Sequence, residues 1–286
     1  MTGASAPLRL RGRSLDGFAV MAVINRTPDS FFDRGATYGF DAALAAAGVA
    51  IEEGADIVDI GGVKAGPGQE VGVQEELRRV ADLVAAVRER HPDVIISVDT
   101  WRAEVGKVVA EAGADLLNDT WGGVDPRLAE VAAAYGIGLV CAHAGGLAPR
   151  TRPHRAAFDD VVADVIGHVT AEAERAVSLG VRRDAILIDP AHDFGKNTWH
   201  SLEITRRLGE LTATGWPVLV AVSNKDFIGE TLGEPVEKRG VGTMAVLGVS
   251  AWLGARVFRV HDVAAARAAL DAVAAQRAAD SRCRAR

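Results

Sequence analysis

Short apolar, β-rich runs recur along the chain: FAVMAVI (18–24), ADIVDIGG (55–62), VIISVDT (94–100), ADLLNDT (114–120), IGLVCAH (137–143), AILIDP (185–190), PVLVAVSNK (217–225) and RVFRVHD (256–262). Ala-rich, charged segments with helical spacing separate them, such as DAALAAAGVAIEEG after the first run and EELRRVADLVAAVRER after the second. Strands that are apolar almost throughout are strands buried on both faces, and strands joined through helices pair in parallel. This alternation predicts an α/β fold, a (β/α)8 TIM barrel, with an open doubly wound sheet as the alternative.

The 286 residues, 49% hydrophobic and 24% charged, are enough for one large buried core. No run of membrane-spanning length is apolar and uncharged, and the first 17 residues carry arginines without an apolar signal core, so a cytoplasmic protein without membrane partners is expected. Cys141 and Cys283, far apart and in unlike surroundings, argue against a disulfide framework or a cysteine zinc site. A net charge of −6 argues against general nucleic-acid binding. LRLRGRSLDG, within residues 1–17, reads as a short hairpin that plugs the barrel floor. The barrel is expected over 18–275, and the Arg-rich end, 276–286, reads as a flexible tail.

The runs end at Asn25, Asp59, Asp99, Asn118, His143, Asp189, Lys225 and Arg259 with His261. Parallel strands of a barrel deliver such residues to one rim, where barrel enzymes do their chemistry. Asp99, Asn118, Asp189 and Lys225 suit a flat heterocycle with an aminopyrimidinone edge: carboxylates take its N–H donors, an ammonium its carbonyl, and an amide its ring nitrogens. Arg259, His261 and Asn25 suit a phosphate or pyrophosphate, Asn25 also offering an oxygen to Mg2+. A heterocycle carrying a pyrophosphate satisfies both sets.

VINRTPDSF (23–31), DIGG with a PG loop (59–68), SVDT (97–100), LLND (116–119), AH with a following GG (142–146), IDPAHDFGK (188–196), SNKDFIG (223–229) and RVHDV (259–263) resemble, in order, the motif series of dihydropteroate synthases. The resemblance implies a homodimeric (β/α)8 barrel that condenses hydroxymethyl-dihydropterin pyrophosphate with para-aminobenzoate, releasing pyrophosphate with the help of Mg2+. It assigns the pterin to Asp99, Asn118, Asp189 and Lys225, with Asp99, Asp189 and Lys225 as the catalytic set. It assigns the pyrophosphate to Asn25, Arg259 and His261, the metal to Asn25, and the aminobenzoate pocket to Phe194, Pro67 and Ser223. The TPDSF and GPG loops would close over the site.

Several positions depart from that pattern. Where the family commonly reads Glu-Ser-Thr-Arg-Pro-Gly, this chain has Val63, Lys64, Ala65, Gly66, Pro67 and Gly68, and its Ser-Arg-Lys is Ser223, Asn224 and Lys225. Gly-Ile-Gly-Phe-Gly-Lys has become Ala191, His192, Asp193, Phe194, Gly195 and Lys196, and the methionine beside the strand-five histidine is Ala142. Lys64, a flexible point charge, cannot replace a bidentate guanidinium. Charged hydrogen bonds are worth roughly 1.5–3 kcal/mol each, so losing two would slow the reaction by about 10² to 10⁴ if both act in the transition state.

The sequence is therefore read as a divergent second synthase with weakened or lost activity. A non-catalytic pterin-binding or regulatory paralogue is the alternative. A metal-dependent hydrolase built on His143, His192 and His261, or a pterin-dependent methyltransferase, stands further off. Trp121 is expected to pack, Trp199 to stand near the mouth, and Lys196 to serve its loop or the substrate equally. Asp59 is expected to order its own loop or Asn25, and Asp29 and Arg239 to face solvent.

Overall fold

The computed structural model describes residues 7–28, 35, 37–66, 68–150 and 157–284, with side chains described as far as 279. Two short strands come first, β1 (Arg9–Leu10) and β2 (Arg13–Ser14), paired antiparallel. Arg11 and Gly12 between them have φ of 51° and 68°, the positive angles that a two-residue hairpin needs to match strand twist.

Eight parallel strands follow: β3 (Ala19–Asn25), β4 (Ile57–Gly61), β5 (Ile95–Asp99), β6 (Leu116–Asp119), β7 (Gly138–Ala142), β8 (Ile186–Asp189), β9 (Leu219–Val220) and β10 (Val257–Val260). They pair in chain order from β3 to β8, while β10 lies between β3 and β9. A parallel bridge between Ile188 and Val218 closes the cylinder. Every run read from the sequence supplies one stave, and the (β/α)8 TIM barrel stands.

The run PVLVAVSNK contributes only two ladder residues. Pro217 has no N–H to donate, although its carbonyl accepts from Ile188 N at 3.0 Å. Beyond Val220 the chain turns, with Lys225 N donating to Val222 O at 3.2 Å and Asn224 at φ 56°.

The helices are α1 (Phe40–Glu52), α2 (Val73–Arg90), α3 (Ala103–Glu111), α4 (Arg127–Tyr135), α5 (Val161–Leu179), α6 (Thr198–Arg206), α7 (Leu208–Thr212), α8 (Asp226–Leu232), α9 (Gly240–Trp252) and α10 (Val263–Arg284). Two helices each follow β8 and β9, where one was expected. The segment 276–286, expected as a flexible tail, overlaps α10, which continues to Arg284, and its last two residues lie outside the described residues. The last turns of α10 are rich in Ala and Arg and hold neither Gly nor Pro, so nothing in them stops a helix. Among the described residues, no helix is long and apolar enough to cross a membrane.

Strand alternation divides the core in two. Outward residues such as Val20, Val58, Ile96, Leu117 and Phe258 pack beneath the helices. Inward residues Met21, Ile57, Ile95, Leu116, Val140, Leu187, Leu219 and Val257 fill the lower barrel, closed from below by Leu8, Leu10 and Leu15. The hairpin is thus the floor of the core, as the sequence suggested. Arg256 fastens it by donating to Gly17 O at 2.8 Å and Leu15 O at 2.5 Å. Gly138 makes room for it, because a Cβ there would lie 2.6 Å from Leu10 Cδ2 and 2.7 Å from Ala185 O.

Leu10 is 1% exposed, so Leu10→Ala should leave a cavity and lower unfolding free energy by about 2–5 kcal/mol in denaturant titration. An unchanged midpoint would mean that the hairpin is not part of the cooperative core.

Candidate functional site

Two residues above the apolar floor, the inward positions turn polar: Asp59 follows Ile57, Ser97 follows Ile95, Asn118 follows Leu116, Asp189 follows Leu187 and Arg259 follows Val257. Ladder register sets the rim level. Asn25 pairs with Gly61, Gly61 with Asp99, Asp99 with Asn118, and Ala142 with Asp189. The pterin set assigned by resemblance, Asp99, Asn118, Asp189 and Lys225, therefore gathers at one end of the barrel.

Arg259 organises one side of this mouth. Its Nε donates to Asp59 Oδ2 at 2.6 Å and its Nη2 to Asp99 Oδ2 at 3.0 Å. Asp59, fully buried, also accepts from Ser97 Oγ at 2.6 Å and from Asn118 Nδ2 at 3.2 Å. Thr120 Oγ1 donates to Asp99 Oδ1 at 3.1 Å. Burial works against the Arg259 charge, but Asp59 and Asp99 outweigh it and hold the guanidinium above its ordinary value. For Asp99, burial prevails over the pull of Arg259 and pushes the carboxyl up to about 7, with Asp59 adding to the rise. Because a carboxylate can only accept, the Asn118 amide is oriented with its nitrogen toward Asp59. Its Oδ1 is left buried with no hydrogen-bond partner among the described residues.

Lys225 and Asp189 form the opposite side. Asp189 Oδ1 accepts from Ala191 N at 2.7 Å. Burial raises its carboxyl, and Lys225 is the strongest force holding it down. The Lys225 ammonium donates to His192 O and stands 4.9 Å above the Phe194 ring. Burial lowers its affinity for the proton, while Asp193 and Asp189 oppose the loss. Phe194 also meets Trp121 edge-on at 5.3 Å, and Trp121 is buried, as expected of a packing residue. Trp199 is instead 77% exposed on α6. Lys196 is a loop fastener: its Nζ donates to His143 O at 2.7 Å, Phe194 O at 2.8 Å and Ala191 O at 3.2 Å.

At the rim, Gly61 leaves open the space between two strands. A Cβ there would stand 3.3 Å from Asn25 Oδ1 and 3.7 Å from the Asp99 Cβ. Ser223 Oγ lies 2.9 Å from His261 Nδ1 and accepts from His261 N at 3.3 Å, which puts it beside the expected pyrophosphate group. Pro67 and Asp29 lie outside the described residues. Arg239 is not a solvent-facing side chain: it donates to Asn224 O at 3.0 Å and Asp226 Oδ1 at 2.8 Å.

The histidines of the hydrolase alternative do not share a centre. His143 Nε2 faces Asp164 Oδ1 at 2.7 Å, whereas His192 stacks on Phe227 and faces Thr205 Oγ1 at 3.1 Å. No group of three His, Cys, Asp or Glu side chains able to hold a metal occurs among the described residues.

The residue most misread from the sequence is Asp59, which binds Arg259, Ser97 and Asn118 rather than ordering a loop or Asn25. Ser97 was visible as the inward residue two before Asp99; Thr120, just past the end of β6, was not singled out by the run pattern.

Residues 21–261 match the family described as pterin binding enzyme, and the barrel with its polar mouth has that class's architecture. Inactive dihydropteroate synthase 2 of Mycobacterium leprae is 56% identical over 259 residues, 89% of this chain and 89% of that protein. The Yersinia pestis dihydropteroate synthase in complex with a sulfonamide drug superposes with a TM-score of 0.89 at 36% identity, covering 96% of this chain and 99% of that one. Xanthomonas albilineans dihydropteroate synthase with 4-aminobenzoic acid gives 0.85 at 36% identity over 97% and 99%. The chain belongs to the dihydropteroate synthase family.

Asp99 offers a direct check of the mouth's electrostatics. With its carboxyl raised to about 7, it stays protonated in the folded protein through a range where the unfolded chain has released that proton. Its contribution to stability is complete below the ordinary carboxylate range and is lost as pH rises through about 7. Asp99→Asn should therefore remove up to about 1.4 kcal/mol per pH unit of downward slope between roughly pH 4 and 7, measured by denaturant unfolding at a series of pH values. An unaltered slope would mean that Asp99 ionises normally.

Proposed function

We propose that the chain binds a pterin pyrophosphate in the manner of a dihydropteroate synthase and has lost most or all of the condensation with para-aminobenzoate. The observation carrying the binding half is the buried, unpartnered Asn118 Oδ1. An orphaned acceptor of this kind costs about 1–3 kcal/mol, and a pterin N–H aimed at it removes the cost. Asp99 and Asp189 would accept from the remaining pterin donors and Lys225 would donate to the pterin carbonyl. Arg259, His261 and Asn25 would face the pyrophosphate, with Phe194 and Ser223 bordering the entering amine.

The loss of turnover rests on the loops. A departing pyrophosphate needs fixed positive charge. Position 66 is glycine, and the Gly66 carbonyl accepts from Arg150 Nε at 3.3 Å while Arg150 Nη1 donates to Gln69 O at 2.6 Å. This guanidinium is spent on backbone. At the other altered position, Asn224 is buried and its Oδ1 accepts from Thr243 Oγ1 at 3.4 Å. The name inactive dihydropteroate synthase 2 of the Mycobacterium leprae relative supports the same reading.

Magnesium fits as a companion of the substrate. Asn25 offers one neutral oxygen, and Asp59 and Asp99 are already engaged by Arg259, so phosphate oxygens and water would supply most ligands. When bound, the ion would neutralise charge on the leaving pyrophosphate. The proposal extends to a cytoplasmic homodimer, for which Val241, Val249 and Trp252, exposed along α9, are the supporting apolar surface.

Calorimetric titration should give saturable pterin pyrophosphate binding, and both substrates together should release pyrophosphate about 10² to 10⁴ more slowly than an intact synthase. Rapid release would overturn the loss of activity. Asp189→Asn keeps an acceptor for Ala191 N and should weaken pterin binding about tenfold or more; unchanged affinity would remove Asp189 from the site. Gly66→Arg should raise turnover. It is the better restoration, because Asn tolerates the φ of 56° at 224 and arginine does so poorly.

A further inference from the structure

The loop after β8 keeps a backbone suited to glycine while carrying side chains. Ala191 and Asp193 have φ of 48° and 68°, at two of the three positions where the family motif has glycines, the third being Gly195. A positive φ is uncommon outside glycine, though Asp adopts it more readily than most residues. At Asp193 the strain is offset by a complete set of partners. Its Oδ1 accepts from Ser201 Oγ at 2.9 Å, its Oδ2 accepts from Phe227 N at 3.2 Å, and its own N–H donates to Ser201 Oγ at 3.1 Å. The carboxylate is therefore held in one place, beneath the first turn of α8 and next to Phe194.

Its charge acts on Lys225. Asp193 and Asp189 are the main groups opposing the loss of the Lys225 proton, with Arg259 acting the other way and Asp226 adding to the carboxylates. Asp226 is itself paired with Arg239 at 2.8 Å. Arg259 is committed to Asp59 and Asp99. Burial brings Lys196 down to about 7, so it carries only part of a charge at neutral pH. Around Phe194 the Asp189 and Asp193 carboxyls thus face the ammonium groups of Lys225 and Lys196, and burial works against the charge on all four. An incoming carboxylate meets no uncommitted cation among these groups.

We propose that Asp193 is a specificity residue that turns the second-substrate side of the mouth away from carboxylates and toward an uncharged aryl amine. The proposal rests on the pterin-binding reading above and names the class of amine that the same site would accept. It does not require that condensation survive, since the selection is made on binding.

The test uses the full chain saturated with hydroxymethylpterin, which has no leaving group, and titrates 4-aminobenzamide and 4-aminobenzoate separately by calorimetry. The amide should bind about tenfold more tightly than the carboxylate, in keeping with the size of like-charge discrimination at a partly desolvated site. Asp193→Asn, which keeps an acceptor for Phe227 N, should narrow the difference to less than about threefold by improving the carboxylate alone. Asp193→Gly, suited to the φ of 68°, should do the same if the Asn variant folds poorly. Equal or tighter binding of the carboxylate to the unmodified chain, or a gap that both variants leave intact, would overturn the proposal while pterin binding stands. Failure of the pterin itself to bind would overturn the parent reading and this one with it.

Discussion

A guanidinium cannot be left alone inside a barrel, and the upper half of this one is arranged around that fact. Arg259 rises from the strand between β3 and β9 and finds Asp59 and Asp99 on β4 and β5. Removing one partner of such a buried pair typically costs about 3–5 kcal/mol, since the remaining charge is uncompensated. The demand spreads outward. Asp59 takes its other hydrogen bonds from Ser97 and Asn118, and Asp99 takes one from Thr120, so residues of β4, β5, β6 and β10 are fixed by one cation. Below them everything inward is apolar, down to the leucines of the hairpin. The lower barrel can thus be stabilised by packing alone while the mouth stays polar and open to a ligand.

Strain gathers at the same end. Ala191, Asp193 and Asn224 have positive φ, and all three belong to the loops after β8 and β9. Each has compensation nearby: Lys196 binds the Ala191 and Phe194 carbonyls, Ser201 and Phe227 hold Asp193, and Thr243 holds Asn224. These loops are braced in a single arrangement, which suits a wall that must present Phe194 and Lys225 at a constant distance. The loop after β4 is tied differently, through carbonyls that accept from Arg79, Arg102 and Arg150. Its guanidinium contacts come from elsewhere in the chain and serve the backbone.

The strand runs made the barrel legible because parallel staves must be apolar on both faces, and their polar ends marked the rim. Three parts were not legible. The shortness of β9 depends on Pro217 and on the turn through Asn224, neither of which interrupts the hydrophobic pattern. The length of α10 was hidden by its charge: an Arg-rich end looks frayed, although its helix propensity is high. Asp59 was visible as a strand end, but its partner Arg259 is two hundred residues later, and only closure of the sheet between β3 and β10 brings them together. Ser223 was assigned to the amine pocket from its motif, while its contact with His261 follows from two adjacent staves.

The network also separates what the fold requires from what a ligand requires. Asp59 and Asp99 would be needed around Arg259 in any chain that buries that cation, so their presence alone says little about pterin. Asp189 and Lys225 lie outside the pairing. Asp189 accepts one backbone N–H, and its other oxygen takes no protein donor among the described residues. Lys225 is half-buried against a carbonyl and an aromatic face, a costly position that nothing in the floor of the barrel demands. A chain freed from every ligand would have little physical reason to keep an ammonium and a carboxylate there. Strand register fixes Asp99, Asn118 and Asp189, whereas the proposed chemistry of pyrophosphate departure depends on loops that can change without disturbing them. Apart from Ala142, which ends β7, the altered residues fall in those loops, and a barrel that receives a pterin without turning it over is the outcome that this division of labour permits.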